Sequence, residues 1–448
     1  MGYMSRKGRR PMENASKSSH SNIIKDLSVI DFLKKCNLPK ISSEVEMREQ
    51  DKTVLSRDNK NPIRYILAVD GGYSEVPVKK EFPSSLICFF QFGALFFKLS
   101  DLEHIAVKPF IDPEDIAKLK EIQRLELVLP TKNIYLTNEN SLIDSVRKTV
   151  FDFFLNNPSD DKFIDTLRWL IFEEYLSPSL SEYQLANCPF CGTNEIIIKK
   201  SDLKDYSTNC NKCNEKILLT DVFRLHEAVD NEIGAGGILG YLTNLLEQFL
   251  IIHLIRIILE VQPALLNEIL FIKDGPLAFF GQTANMHKPM RKLINFLLAK
   301  HNIYLAGLEK SGAFVEHADE IASRLTPGQI LLLNNDYIYK YIIPGKADSS
   351  QPYARSSYYG AKLIYKSLDE RIYVITLPTK DEKVVLNPQK TDFTNIDIIL
   401  ANIEKLRCDM YDSALIPVAL ANRLVSLSNH PSSVILEKFV KKIVKRQK

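Results

Sequence analysis

The sequence predicts an α/β protein on three observations. Short β-branched runs alternate with amphipathic helical stretches along most of the 448 residues, two of those runs end in Asp-Gly, and four of the seven cysteines fall within one short segment. With 45% hydrophobic and 25% charged residues, 17 Gly and 21 Pro, the composition is that of an ordinary folded protein, and the length calls for two or three structural units. The run 249-FLIIHLIRIIL-259 is broken by His253 and Arg256 before the roughly 20 residues a bilayer needs, so no membrane span is expected. The N-terminal residues lack an apolar segment ahead of a small-residue cleavage site, which predicts a cytoplasmic protein. Net charge is only +3, but both ends are basic, with Lys/Arg clustered at 6–10 and at 438–448. Each end reads as solvated charge or as a contact for a polyanion.

Residues 1–60 read as a basic tail and a short helical lead-in, with order beginning near Asn61. The run 64-RYILAVD-70 is apolar, β-branched and closed by Gly-Gly, a buried strand that delivers a carboxylate into a turn. The Phe-rich stretch 84–99 follows as a second and third strand, and 142–156 and 163–176 have helical spacing. Residues 186–216 then turn polar and cysteine-rich, a small unit inserted into a main domain of 61–185 and 217–430. After it come a long apolar helix at about 237–262, a strand at 268–274, a helix at 288–302 and a strand at 303–310. Further strands are expected at 329–335, 336–344, 362–367 and 371–378, helices at 395–406 and 415–427, and a basic helix or tail at 431–448. No repeat of solenoid length is present.

The inserted unit carries Cys188, Cys191, Cys210 and Cys213 in the spacing Cys-x2-Cys-x18-Cys-x2-Cys. Two such knuckles place four thiolates around Zn2+, and a segment with so few apolar residues gains its fold from the ion. Four sulfur ligands leave no position for water, so this zinc is structural. Two disulfides are the alternative, disfavoured in a chain without a secretion signal. Cys36, Cys88 and Cys408 are dispersed and receive no role.

Asp70 and Asp274 both end apolar strands, in 66-ILAVDGG-72 and 270-LFIKDGP-276. An Asp-Gly pair after a strand is by itself a common turn. Two together fit metal-dependent phosphodiester hydrolysis, in which a hard cation such as Mg2+ or Mn2+ takes several carboxylates converging at one end of a sheet. The helix before Asp274 offers Glu247 or Glu260 as a third. Strand 268–274 climbs roughly 20 Å at ~3.3 Å per residue, and the helix from 247 to 263 descends roughly 24 Å at ~1.5 Å per residue, so Glu247 is level with Asp274. Glu260 shares a polar face with His253 and Arg256 and reads as solvated. Glu247 lies on a stripe with Gly237, Gly240 and Asn244, where it is either a metal ligand or a structural cap or buried pair.

The segments 68-AVDGGYSEV-76, 234-GAGGILGYLTNLLEQFLIIHLI-255, 272-IKDGPLAFFGQTANMHKPM-290 and 306-AGLEKSGAF-314 together resemble the NurA nuclease family. The resemblance runs with gaps from about residue 64 to residue 427. It implies an RNase H-like fold, DNA hydrolysis with Mn2+ or Mg2+, a homodimer, a hexameric HerA-type ATPase as partner, and a role in DNA end processing or defence against phage. Carried over by position, it makes Asp70, Glu247 and Asp274 the metal-binding residues and Lys310 a lysine that holds the scissile phosphate. The family's C-terminal histidine is replaced by Asn422 in 411-YDSALIPVALANRL-424.

Other residues carry weaker signals. Lys288, beside His287 after a Gly-Gln-Thr loop, is a candidate phosphate contact, and Glu227 a candidate outer carboxylate. Arg355, Tyr359 and Lys362, with Tyr353 and Tyr358, mix aromatic and basic groups as a surface for stacking bases does, and as an edge strand also does. The rival to a nuclease is a non-catalytic DNA-binding or scaffold subunit in which the ribbon and the basic tails grip nucleic acid.

Overall fold

The computed structural model describes residues 26–36, 40–57, 60–79, 84–101, 121–343, 345, 348, 350, 352–379, 386–408, 414–427 and 432–446. The basic N-terminal cluster and residues 411–413 lie outside them.

One nine-stranded mixed sheet organises the molecule. Its strands are β1 (Lys52–Val54), β2 (Tyr65–Lys79), β3 (Ser85–Lys98), β4 (Glu121–Lys132), β9 (Ile269–Asp274), β10 (Tyr304–Glu309), β11 (Gln329–Leu332), β12 (Ala361–Lys366) and β13 (Ile372–Leu377), in the order β1-β11-β12-β13-β10-β9-β2-β3-β4. β2, β3 and β4 form an antiparallel meander. β9 then lies parallel to β2, and β10 parallel to β9. A meander extended in parallel from its first strand, with helices on both faces, is the RNase H-like arrangement. Four differences from the sequence reading stand out. Residues 84–99 form one long strand instead of two, residues 335–342 are helical instead of extended, β4 was unforeseen, and β1 joins the sheet ahead of Asn61 by pairing with β11.

Alternation along the strands sorts the core. Leu67, Val69, Ile269 and Phe271 face one side, packed under α2 (Leu142–Asn156), α3 (Phe163–Ile171), α4 (Leu239–Val261) and α5 (His287–Lys300). Ile66, Ala68, Leu270 and Ile272 face the other, under α7 (Ile396–Lys405) and α8 (Ile416–Val425). The first side continues past α6 (Ala313–Ile321) and the turn at 335–342. Short α1 (Leu27–Lys34) precedes the sheet and α9 (Ser432–Arg446) follows α8.

The stretch 236–261 is long and apolar enough to cross a membrane, contrary to the expectation from its charges, but most of its apolar window is buried inside the molecule. His253 and Arg256 are buried too, not solvated. The Thr166 hydroxyl pairs with His253 Nδ1 at 2.8 Å and accepts from Arg256 at 2.9 Å, which binds α4 to α3. Glu260 is half-exposed and receives Arg256.

Candidate active site

Asp70 lies mid-way along β2, at the level where its parallel neighbour ends. The β2–β9 ladder closes at Val69 with Lys273, so Asp70 and Asp274 stand next in register, side by side. β9 stops there because Gly275 turns at φ 85°, its N–H donating to the Leu308 carbonyl at 2.6 Å. β2 continues beyond, paired among the described residues with β3 alone.

Helix α4 supplies the third carboxylate. Asn244 and Gln248 both donate to the Ala278 carbonyl, at 2.8 and 2.6 Å, fixing the helix to the chain leaving β9. Glu247 is thereby held against Gly71, closely enough that a Cβ there would stand 3.2 Å from Glu247 Oε1 and push it aside by a few tenths of an ångström. The Gly71 N–H donates to Asp70 Oδ1 at 2.8 Å and also lies within reach of the Glu247 carboxylate. One backbone amide therefore marks the meeting point of Asp70 and Glu247.

Two ammonium groups enter the same cluster. Lys310, just after β10, donates to Asp274 Oδ2 at 2.7 Å. Lys273, buried at 2% exposure, lies 2.7 Å from Glu247 Oε2 and also donates to the Asp274 carbonyl. The sequence reading missed Lys273. Its signal was a lysine next to the end of 269-ILFIKD-274, a strand buried on both faces, where an ammonium has to find an anion.

The electrostatics are those of crowded carboxylates. Burial is the first cause that pushes the Asp70 carboxyl up to about 7, and the charges of Asp274 and Glu247 add to it, while Lys310 opposes. Burial also raises Glu247, with Lys273 opposing. Asp70 Oδ2 is buried without a hydrogen-bond partner. An unpartnered buried carboxylate oxygen among two further carboxylates fits the donor set of a hard divalent cation.

The four cysteines form a second centre. Sγ–Sγ separations are 3.7 Å for Cys188–Cys213 and 3.9 Å for Cys191–Cys210, and all four sulfurs lie within 4.8 Å of one another. A tetrahedron with Zn–S bonds of ~2.3 Å has edges of about 3.8 Å, whereas a disulfide closes to ~2.05 Å. The four thiols can hold one Zn2+, and all remain free. Among the described residues this is the one group of three or more His, Cys, Asp or Glu with donor atoms so close. Asp70, Glu247 and Asp274 stand wider apart, two of them drawn onto lysines. The ribbon, with hairpins β5 (Glu182–Asn187) and β6 (Asn194–Lys199), then β7 (Ser207–Asn209) and β8 (Lys216–Leu218), packs into the main core through Leu185, Ile196, Ile198 and Ile217.

The remaining candidates divide by burial. Tyr359 and Lys362 are 3% and 4% exposed, which removes them from any base-stacking surface. The Tyr359 hydroxyl donates to Gln248, and Lys362 to Glu309, with its ammonium 3.8 Å from the Phe314 ring centroid. Arg355 is exposed and donates to the Ser350 carbonyl. Lys288 is exposed and lines a cleft of about 760 Å³ between the β5–β6 hairpin and α5, apart from the carboxylates. His287 is buried on the Ala284 carbonyl, and Glu227 is clasped by Arg224 at 2.7 and 2.8 Å. Asn422 is an exposed residue of α8, whose end runs close to β2: a Cβ on Gly72 would stand 3.0 Å from the Val425 carbonyl.

No protein-family model matches this chain, and no curated protein matches it. Among solved structures it is similar to the crystal structure of the NurA nuclease from Sulfolobus solfataricus over 97% of this chain and 98% of that one, at a TM-score of 0.36 and 7% identity. A crystal structure of NurA is similar over 95% and 97%, at a TM-score of 0.28 and 12% identity. Function is therefore read from the side chains.

Proposed function

We propose that the chain is a divalent-metal-dependent nuclease that hydrolyses phosphodiester bonds in DNA. The observation that carries this reading is the convergence of three carboxylates from three different elements: Asp70 and Glu247 meet at the Gly71 amide, Asp274 stands beside Asp70 in register, and one buried carboxylate oxygen is left unpartnered. Asp70, Glu247 and Asp274 would hold Mn2+ or Mg2+, which supplies charge for the phosphoryl oxygens and lowers the pKa of a bound water. Asp70, pushed up to about 7, has to shed its proton to serve. Lys310, 28% exposed at the rim on Asp274, can turn its ammonium to a phosphate oxygen and offset charge as the P–O bond breaks. The resemblance read from sequence adds the finer proposals of a homodimer, a HerA-type ATPase partner and a role in DNA end processing or antiviral defence.

A second reading, a non-catalytic DNA-binding or scaffold subunit, is favoured by one observation: Glu247 and Asp274 each have a lysine partner, as structural ion pairs do. Incubating the full-length chain with linear duplex and single-stranded DNA, with and without the ATPase, separates the two. The nuclease cleaves in Mn2+ or Mg2+, stops on chelation and loses activity in Asp274→Asn. Salt-sensitive binding with no cleavage under any of these conditions decides for the scaffold.

A further inference from the structure

Lys273 takes no part in the chemistry above, yet it is the most deeply buried charged group of the cluster. Its ammonium has two acceptors, Glu247 Oε2 and the Asp274 carbonyl, and both belong to residues whose carboxylates would hold the cation. The Gly275 turn folds beside it, with a Cβ there 3.5 Å from Nζ, so the ammonium is enclosed by its own strand end.

Two consequences follow from that placement. Glu247 has one carboxylate oxygen on Lys273 and only Oε1, the oxygen toward Gly71, left over. Two-metal sites hold their ions ~3.5–4 Å apart, and Glu247, with one oxygen committed to Lys273, can serve one ion and cannot bridge two. The charge count agrees. With all three carboxylates ionised and Lys310 still on Asp274, as before any DNA binds, the two ammonium groups leave one net negative charge, which favours one divalent ion over two.

We infer that Lys273 is a positioning residue whose ammonium fills the place of a second cation, so that the carboxylate site takes a single divalent metal ion. The inference rests on the nuclease reading, because it needs Asp70, Glu247 and Asp274 to bind metal at all. Within it, Lys273 sets the metal count and the orientation of Glu247 without touching substrate.

The test is Mn2+ stoichiometry, read by the electron paramagnetic resonance of free Mn2+ as the zinc-loaded, full-length chain is titrated, with zinc measured separately. The wild-type chain binds one Mn2+, Lys273→Arg binds one, and Lys273→Met, shown folded by circular dichroism and unchanged zinc content, binds two. Two Mn2+ on the wild-type chain overturn the inference alone and leave the nuclease reading intact, as does a folded Lys273→Met that binds one. No Mn2+ on the wild-type chain overturns both. If Lys273→Met does not fold, the milder Lys273→Gln takes its place in the titration: two Mn2+ support the inference and one overturns it.

Discussion

Asp70 shows how a buried carboxylate weighs on the fold. Its carboxyl is raised from 3.8 to about 7, first by burial and then by Asp274 and Glu247. Between those pH values the folded chain keeps a proton that the unfolded chain has released, so without added divalent ion stability falls as pH climbs through the window and levels off above about 7. The amide of Asp70→Asn has no such proton to lose. Thermal melts should therefore show Asp70→Asn gaining on the order of 2–4 kcal/mol over wild type at pH 7.5 and much less at pH 4.5, at roughly 1.4 kcal/mol per pKa unit. Equal shifts at both pH values would deny the crowding. Gly71 is the complementary case. In Gly71→Ala the new Cβ meets Glu247 Oε1 and Thr243 Cγ2, both at 3.2 Å, and the glutamate must give by a few tenths of an ångström. Activity should fall by roughly 10- to 100-fold while the melting temperature drops only a few degrees, since misplacement costs a catalytic group more than it costs the core. That Asp70, Glu247 and Asp274 are neighbours was legible in sequence because strand ends and helix pitch fix their heights, whereas Lys310 was pointed to only by the family resemblance. Lys273 was not legible, because its meaning depends on which glutamate the long helix sets against it. Tyr359 and Lys362 misled because a buried hydrogen-bonded row and a basic aromatic surface share one composition.

Elements were legible where one signal acted alone. The cysteine spacing fixed the ribbon, and the apolar period fixed α4. Residues 336–344 read as a strand because Ile and Tyr favour one, but the Asn334 side chain accepts from the Tyr337 N–H at 2.9 Å and starts a helical turn, a cap outweighing propensity. β3 read as two strands, whereas its residues pair in one continuous ladder with β2, Gly93 standing opposite Asp70. How the ribbon joins the body was invisible, since it rests on Arg147 of α2. That guanidinium holds Asp221 through two bonds of 2.9 and 2.8 Å and lies 4.5 Å from the ring centroid of Phe190 in the first knuckle. Arg147→Ala leaves Asp221, 2% exposed, as an uncompensated buried charge, and denaturant unfolding should show a loss of about 3–5 kcal/mol. Cys210→Ser should abolish zinc content and lower the melting temperature as well, because the ribbon's Leu185, Ile196 and Ile217 belong to the same core as α4. A ribbon that lost its zinc with no change in melting would be an appendage.

The whole molecule exists in this form because no single element can assemble the site. β2 provides Asp70, α4 provides Glu247, β9 provides Asp274 and the end of β10 provides Lys310, and the parallel β2–β9–β10 ladder sets them at one level across 241 positions of sequence. That a sheet does this was legible from alternation and strand ends; the order of nine strands was not, since pairing between distant strands leaves no local mark. The arrangement sets like charges together in a buried space, a cost to stability that the fold tolerates for function. A site of this kind works as a unit, so its parts should fail non-additively. Glu247→Gln and Asp274→Asn should each reduce DNA cleavage by on the order of 10³-fold or more, and the double variant should be no worse than the poorer single one. Melting without divalent ion should follow a different rule. Asp274→Asn relieves Asp70 of a neighbouring charge and should raise stability at pH 7.5, whereas Glu247→Gln strands the buried Lys273 and should lower it. Activities that multiply, or two variants that move stability the same way, would show that the carboxylates are separate structural pairs and not one site.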